Sequence, residues 1–243
     1  LKDKVVLISG GGSGFGKAMA VRFARAGCRV LISGRRPEPL RRVAEAIRAG
    51  DPAADAEWIR ADMCRGEDAE AMAARAMERW GRVDVMINNA GSGVRIAPFD
   101  TYTAEEIDTL VSANLMTAIH GCRAVIPLMK QQGFGVILNV ASACAKHAWP
   151  SWSVYTAAKM GVLGLSRCLY GELRPHGIRV GTLIPGAAPT EFSQAADAVY
   201  GLEGDSLKAE DVAEAAYLMA SLPQRAMIEE LMIWGTNQEV IPL

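Results

Sequence analysis

The chain has 243 residues, half of them apolar and 22% charged, with 26 basic against 27 acidic side chains and a formal net charge of -1. That balance describes a globular protein able to bury a substantial core as one domain over residues 1–243, and it gives no bias toward nucleic acid or an anionic membrane. Apolar runs such as Val5 to Ile8 and Val136 to Leu138 stop far short of the roughly 20 residues needed to span a bilayer.

Seven short strands are expected in chain order: Lys4 to Ser9, Arg29 to Ser33, Glu57 to Arg60, Val83 to Ile87, Gly135 to Val140, Arg179 to Ile184 and Glu229 to Ile233. Between them, Lys17 to Arg25, Pro39 to Ala49, Asp68 to Trp80, Ala104 to Gln131, Ser153 to Leu173 and Ala209 to Ser221 carry apolar residues at helical spacing. Gly27, Gly81 and Gly133 stand as helix stops. The alternation implies an α/β fold, a single Rossmann-like doubly wound domain with a seven-stranded parallel sheet and helices on both faces. The stretch from about 187 to 207 mixes small, polar and aromatic residues and is the candidate substrate loop.

The opening Leu1-Lys2-Asp3-Lys4 passes directly into a strand, with none of the pattern of a secretory leader, so a cytoplasmic location is expected. Five cysteines, Cys28, Cys64, Cys122, Cys144 and Cys168, form no Cys-x-x-Cys pair and read as small core residues of a reducing compartment. The three histidines are too scattered for a metal motif, and no metal is expected.

The first strand ends in Ser9-Gly10-Gly11-Gly12-Ser13-Gly14-Phe15-Gly16, followed at once by a helix. Glycines at such a turn let the backbone approach a pyrophosphate, which then rests on the free N–H groups and positive dipole end of the helix. The spacing Gly10-x-x-x-Gly14-x-Gly16 departs from the general G-x-G-x-x-G pattern, and alone it would equally suit a tight turn. The second strand ends in Ser33-Gly34-Arg35-Arg36. An acid there would bind the 2'-hydroxyl of NAD; Gly34 takes its place, and Arg35 with Arg36 suits the 2'-phosphate of NADP. NADP is therefore the expected cofactor, with NAD as the alternative. Two solvated arginines are the plainer explanation, but cations are disfavoured at a helix N-terminus.

Ser142 follows the fifth strand, and Tyr155 and Lys159 open the next long helix four residues apart, on one face. A tyrosine titrates near ~10, and a neighbouring ammonium favours its phenolate, moving it toward the range of a general acid-base catalyst. Ser142 can donate a hydrogen bond to the same substrate oxygen. Any one of these motifs is weak alone; here they occur together and in a compatible order.

With these residues, Asn88-Asn89-Ala90-Gly91 after the fourth strand, Asn114 in the long helix and Pro185-Gly186 with Thr190 after the sixth strand, the chain resembles the classical short-chain dehydrogenase/reductase family over its whole length. The resemblance implies a catalytic tetrad of Asn114, Ser142, Tyr155 and Lys159. It implies cofactor contacts from Ser9, Gly10, Gly12, Ser13, Gly14, Phe15 and Gly16, from Arg35 and Arg36, and from Asp62 and Met63 at the adenine. Asn89, Ala90 and Gly91 would line the adenosine side. Lys159, beside Tyr155, would hold the nicotinamide ribose, with a water relay from Asn114. Pro185, Gly186, Ala188 and Thr190 would cradle the nicotinamide and pyrophosphate. A homotetramer or homodimer through the helices bearing Asn114 and Tyr155 is likewise implied. Ser9 replaces the family's usual Thr, Phe15 an aliphatic residue, and Ala188 a Val or Ile. The ending from Glu229 to Thr236 lacks the Asp-Gly-Gly turn of many members and looks more like the branch acting on small hydroxy acids.

The expected substrate is a small alcohol or carbonyl compound facing Ser142, Ala143, Cys144, Trp149, Trp152, Tyr155 and Gly186. Ser92 to Arg95, His147, Phe192 and Tyr200 are further candidates, with Arg95 or His147 able to receive an anion. A catalytically silent dinucleotide sensor is the alternative function, but both Tyr155 and Lys159 are present. A nucleotide-sugar epimerase would need a longer segment after the sixth strand.

Overall fold

The computed structural model describes residues 1–92, 95–192 and 206–238. Strand β1 (Val5–Ser9) leads into α1 (Gly14–Arg25), β2 (Arg29–Gly34) into α2 (Pro37–Gly50), and β3 (Ala56–Arg60) into α3 (Gly66–Trp80). Then follow β4 (Val85–Asn88), α4 (Ala104–Val111), α5 (Thr117–Gln132), β5 (Gly135–Val140), α6 (Ser153–Leu173), β6 (Ile178–Pro185), α7 (Ala209–Ser221) and β7 (Glu230–Ile233). All neighbouring strands pair in parallel, in the order β3-β2-β1-β4-β5-β6-β7. The order reverses between β1 and β4, and a ligand crevice is expected outside the strand ends at such a point.

Each central strand is buried along its length because both faces of the sheet are covered. Alternate side chains serve opposite cores. Val6, Ile8, Val30 and Ile32 pack with Met19, Phe23, Leu40 and Val212 on the α1, α2 and α7 side. Val5, Leu7 and Leu31 pack with Met72, Val125, Met129 and Val180 on the α3 and α5 side. Asp84, just before β4, is fully buried; it accepts from Val5 N and pairs with Lys4 and Arg82. Burial pushes its carboxyl up, but Arg82, the Val5 N–H and Lys4 outweigh that and hold it below the usual range.

The expected elements are found with small shifts at their ends. Gly27, Gly81 and Gly133 follow helices at φ of 76°, 72° and 68°, as the stops require. The helix expected over Ala104 to Gln131 is not continuous: residues Ser112–Met116 form a π turn between α4 and α5. There Asn114 Nδ2 donates to the Leu110 carbonyl and Thr117 Oγ1 to the Ala113 carbonyl, side chains competing for oxygens that an α-helix would use. The cysteines are not all core residues: Cys28, Cys122 and Cys144 are buried, Cys64 is half-buried and Cys168 is exposed. Of the candidate substrate loop, only residues 187–192, 206 and 207 lie within the description.

Candidate active site

A cavity of about 1130 Å³ runs along the C-terminal ends of the strands. On the β2 side it is lined by Gly10, Gly12, Ser13, Gly14, Phe15, Gly34, Arg35 and Arg36. Asp62 and Met63 join that side from the end of β3, Asn89, Ala90, Gly91 and Ser92 line the middle reach after β4, and Pro185, Gly186, Ala188 and Thr190 follow from the end of β6. On the β5 side are Ser142, Ala143, Cys144, Trp149, Trp152, Tyr155, Lys159 and Phe192.

The glycine loop owes its shape to close backbone approach. Gly10 has φ +68°, and a side chain at Gly16 would strike the Gly10 carbonyl and the Asn89 amide, so α1 seats directly on the loop. Ser9 and Gly16 do not line the cavity; they support it from beneath. Ser9 Oγ donates to the Ile87 carbonyl (3.4 Å) and accepts from the N–H groups of Asn89 and Ala90 (3.0 Å each). The Asn89 amide donates to the Ser9 and Gly10 carbonyls, which closes the seam between β1 and β4. Helix α1 has no side-chain cap and no acid in its first turn. Its leading N–H groups therefore suit an anion, and the loop, helix and elongated cavity together fit a dinucleotide.

At the end of β2, Arg35 Nη2 donates to Ser92 Oγ (3.2 Å), and Arg36 pairs with Glu191 at 2.8 Å. The two cations at the start of α2 thus have partners contributed by other segments, which accounts for part of their cost there. Asp62 Oδ1 accepts from Cys64 N and its own N–H donates to Asp68, so the carboxylate also shapes the turn after β3.

Tyr155 and Lys159 lie on the buried face of α6. Lys159 Nζ donates to the Val140 carbonyl (3.1 Å) and stands 5.8 Å from the centre of the Tyr155 ring. Desolvation lowers its pKa from 10.5 to about 8. The Tyr155 ring meets Trp152 edge-on at 5.6 Å and Phe192 at 5.8 Å. Ser142 opens a short turn over Ala143–Ala145, its Oγ accepting from Cys144 N. Asn114, only 1% exposed, donates through Nδ2 to the Ser92 and Leu110 carbonyls, while its Oδ1 has no partner among the described residues. A methyl built on Gly91 would stand 2.8 Å from that oxygen and 3.6 Å from Lys159 Nζ, so both groups border one small gap. A buried orphan acceptor beside a buried ammonium suits a bridging water.

Of the further substrate candidates, Ser92 and Phe192 line the cavity. Arg95 and His147 do not: Arg95 is held by the Thr101 carbonyl and Glu106, and His147 packs against Trp149 and Trp234. Gly93, Val94 and Tyr200 lie outside the described residues. Sequence reasoning missed Asn237 and Gln238, which line the cavity from beyond β7; Gln238 Oε1 accepts from Ala187 N (3.0 Å). It also missed Thr117, whose Oγ1 donates to the Ala90 carbonyl. No motif marks these positions, since their place depends on how distant segments meet.

Residues 4–200 match the model of the family described as short chain dehydrogenase. Levodione reductase of Leifsonia aquatica is 38% identical over 185 residues, which are 76% of this chain and 69% of that protein. The alcohol dehydrogenase from Thermococcus sibiricus, solved with 5-hydroxy-NADP, superposes with a TM-score of 0.90 at 26% identity, covering 99% of this chain and 100% of that one. The 3-ketoacyl-(acyl-carrier-protein) reductase from Brucella melitensis, solved with NADH, does so with a TM-score of 0.87 at 35% identity, covering 97% and 98%. Family match, sheet order and the residues gathered above the strand ends agree: the chain belongs to the short chain dehydrogenase family and is an oxidoreductase.

Proposed function

We propose that the chain is an NADP(H)-dependent oxidoreductase that interconverts a small alcohol and its ketone or aldehyde, with Tyr155 as general acid and base. One observation carries the reading. Asn114, Ser142, Tyr155 and Lys159 share the cavity whose β2 side is built from the uncapped α1 and two arginines. A bound nicotinamide dinucleotide would supply or accept the hydride. Gly10, Gly12, Ser13, Gly14 and Phe15 hold its pyrophosphate against α1, Asp62 and Met63 flank the adenine, and Asn89, Ala90 and Gly91 line the adenosine. Pro185, Gly186, Ala188 and Thr190 border the nicotinamide. Arg35 and Arg36 receive the 2'-phosphate; the Arg36–Glu191 pair is solvent-exposed and therefore weak enough to be displaced. NAD is the alternative cofactor.

In reduction the Tyr155 hydroxyl gives its proton to the carbonyl oxygen, and in oxidation the phenolate takes it back. Ser142 donates a hydrogen bond to the same oxygen and fixes its position. Buried Lys159 carries a charge that its surroundings tolerate poorly, so an anion beside it gains strongly, and the phenolate of Tyr155 is that anion. Asn114, through a water in the gap by Gly91, returns protons to Lys159. Assembly into a homodimer or homotetramer through the α4–α5 stretch that bears Asn114 and through α6, which bears Tyr155, belongs to the same reading.

Tyr155→Phe tests it. The variant is expected to fold and to bind NADPH with unchanged affinity while kcat falls about 10²- to 10⁴-fold. Undiminished turnover would remove Tyr155 as the acid, and a wild-type protein that binds NADPH yet reduces no carbonyl compound would return the silent sensor.

A further inference from the structure

We infer that the substrate is uncharged, an apolar ketone or alcohol, and that carboxylates such as 2- or 3-hydroxy acids are excluded; this rests on the oxidoreductase reading and names its substrate class. The walls around Ser142 and Tyr155 are Ala143, Cys144, Trp149, Trp152 and Phe192. The Tyr155 ring meets those of Trp152 and Phe192, and all three belong to an apolar cluster with Leu110, Val154 and Ile107. Burial pushes the Cys144 thiol above its ordinary range, so that group brings no charge either.

An anionic head group would need a counter-ion, and the described residues of the cavity supply none to spare. Its cationic lining residues are Arg35, Arg36 and Lys159. The arginines follow β2, three strands away from β5 in the sheet, on the side assigned to the adenosine. Lys159 is committed to the Val140 carbonyl and to Tyr155. Of the basic groups near these walls in the chain, Arg95 pairs with Glu106 and Lys146 with Glu230, while His147 packs against Trp149 and Trp234 and does not line the cavity. The residues outside the description add none: 93–94, 193–205 and 239–243 contain no Lys, Arg or His, but do contain Asp197, Glu203, Asp205 and Glu239. Moving a carboxylate into an aromatic pocket without a partner costs far more than its few methylene contacts return. The inference therefore runs against the likeness of residues 229–236 to enzymes of small hydroxy acids.

Ethyl acetoacetate and acetoacetate carry the same keto group and differ in charge, and cyclohexanone supplies a neutral ring. With NADPH at pH 7, kcat/KM for the ester and for cyclohexanone is expected to exceed that for acetoacetate by at least about a hundredfold. Trp149→Arg, which places a cation in the wall, is expected to raise the acetoacetate value and lower the ester value. Equal or faster reduction of acetoacetate by the wild-type protein overturns the inference. A second readout is independent of turnover: with the NADP+-loaded protein, cyclohexanol raises the melting temperature and 3-hydroxybutyrate at equal concentration does not. A shift from 3-hydroxybutyrate as large as that from cyclohexanol, or no shift from either, overturns it as well. Absence of all turnover despite that selective shift counts against the oxidoreductase reading and leaves the neutral-ligand inference upheld.

Discussion

Lys159 is a charge buried against the protein, with little of it left to solvent, and its cost has a pH signature. Its folded pKa of about 8 lies below the ordinary 10.5. Below pH 8 the side chain is protonated in folded and unfolded chains alike, and the folded state bears the desolvation penalty. As the pH rises from 8 to 10.5 the folded chain sheds that proton first and the penalty fades. The stability of the wild-type protein relative to Lys159→Met should therefore shift in favour of wild type by on the order of 1–3 kcal/mol between pH 7 and pH 10. Urea unfolding of both proteins across that range measures it; a difference flat in pH would mean that the ammonium is solvated. At this scale Tyr155 and Lys159 were legible because four residues on a helix is a fixed geometry. Ser9 was legible as a hydroxyl at the loop, but its position beneath the cavity depends on β4 lying beside β1. Arg95 and His147 were offered as anion receivers from their charge alone, and the partners that hold them elsewhere are visible only in the folded chain.

Elements were readable wherever one hydrophobic period ran uninterrupted, as in α6 and α7, whose ends fall at the expected residues. The π turn over Ser112–Met116 was not, because one extra residue per turn leaves the composition of a helix unchanged. The turn is nonetheless what lets Asn114 reach the Ser92 carbonyl while keeping its own oxygen toward the gap by Gly91. The junction of β2 and α2 gives a sharper test of cofactor choice. Replacing Arg35 and Arg36 together by Ala is expected to weaken NADPH binding by about tenfold to a hundredfold, the scale of one or two charge-assisted hydrogen bonds, and to leave NADH nearly unchanged. Fluorescence titration with both dinucleotides reads the two constants, and equal losses would remove the arginines from the 2'-phosphate.

At the scale of the molecule, the alternation of strands and helices announced a parallel sheet, and the reversal of strand order between β1 and β4 located its crevice. The final wall, Asn237 and Gln238, was hidden because it depends on β7 closing the sheet next to β6. The cavity borrows residues from position 10 through position 238, so no contiguous fragment holds a usable portion of it. Enzymatic competence and architectural integrity are accordingly one and the same property here. Titrated with urea, catalytic rate and far-ultraviolet dichroism should decay together about a single midpoint, and a rate that outlives the dichroism would reveal a smaller autonomous unit. Turnover, in a chain built this way, doubles as an assay of whether the whole sheet is intact.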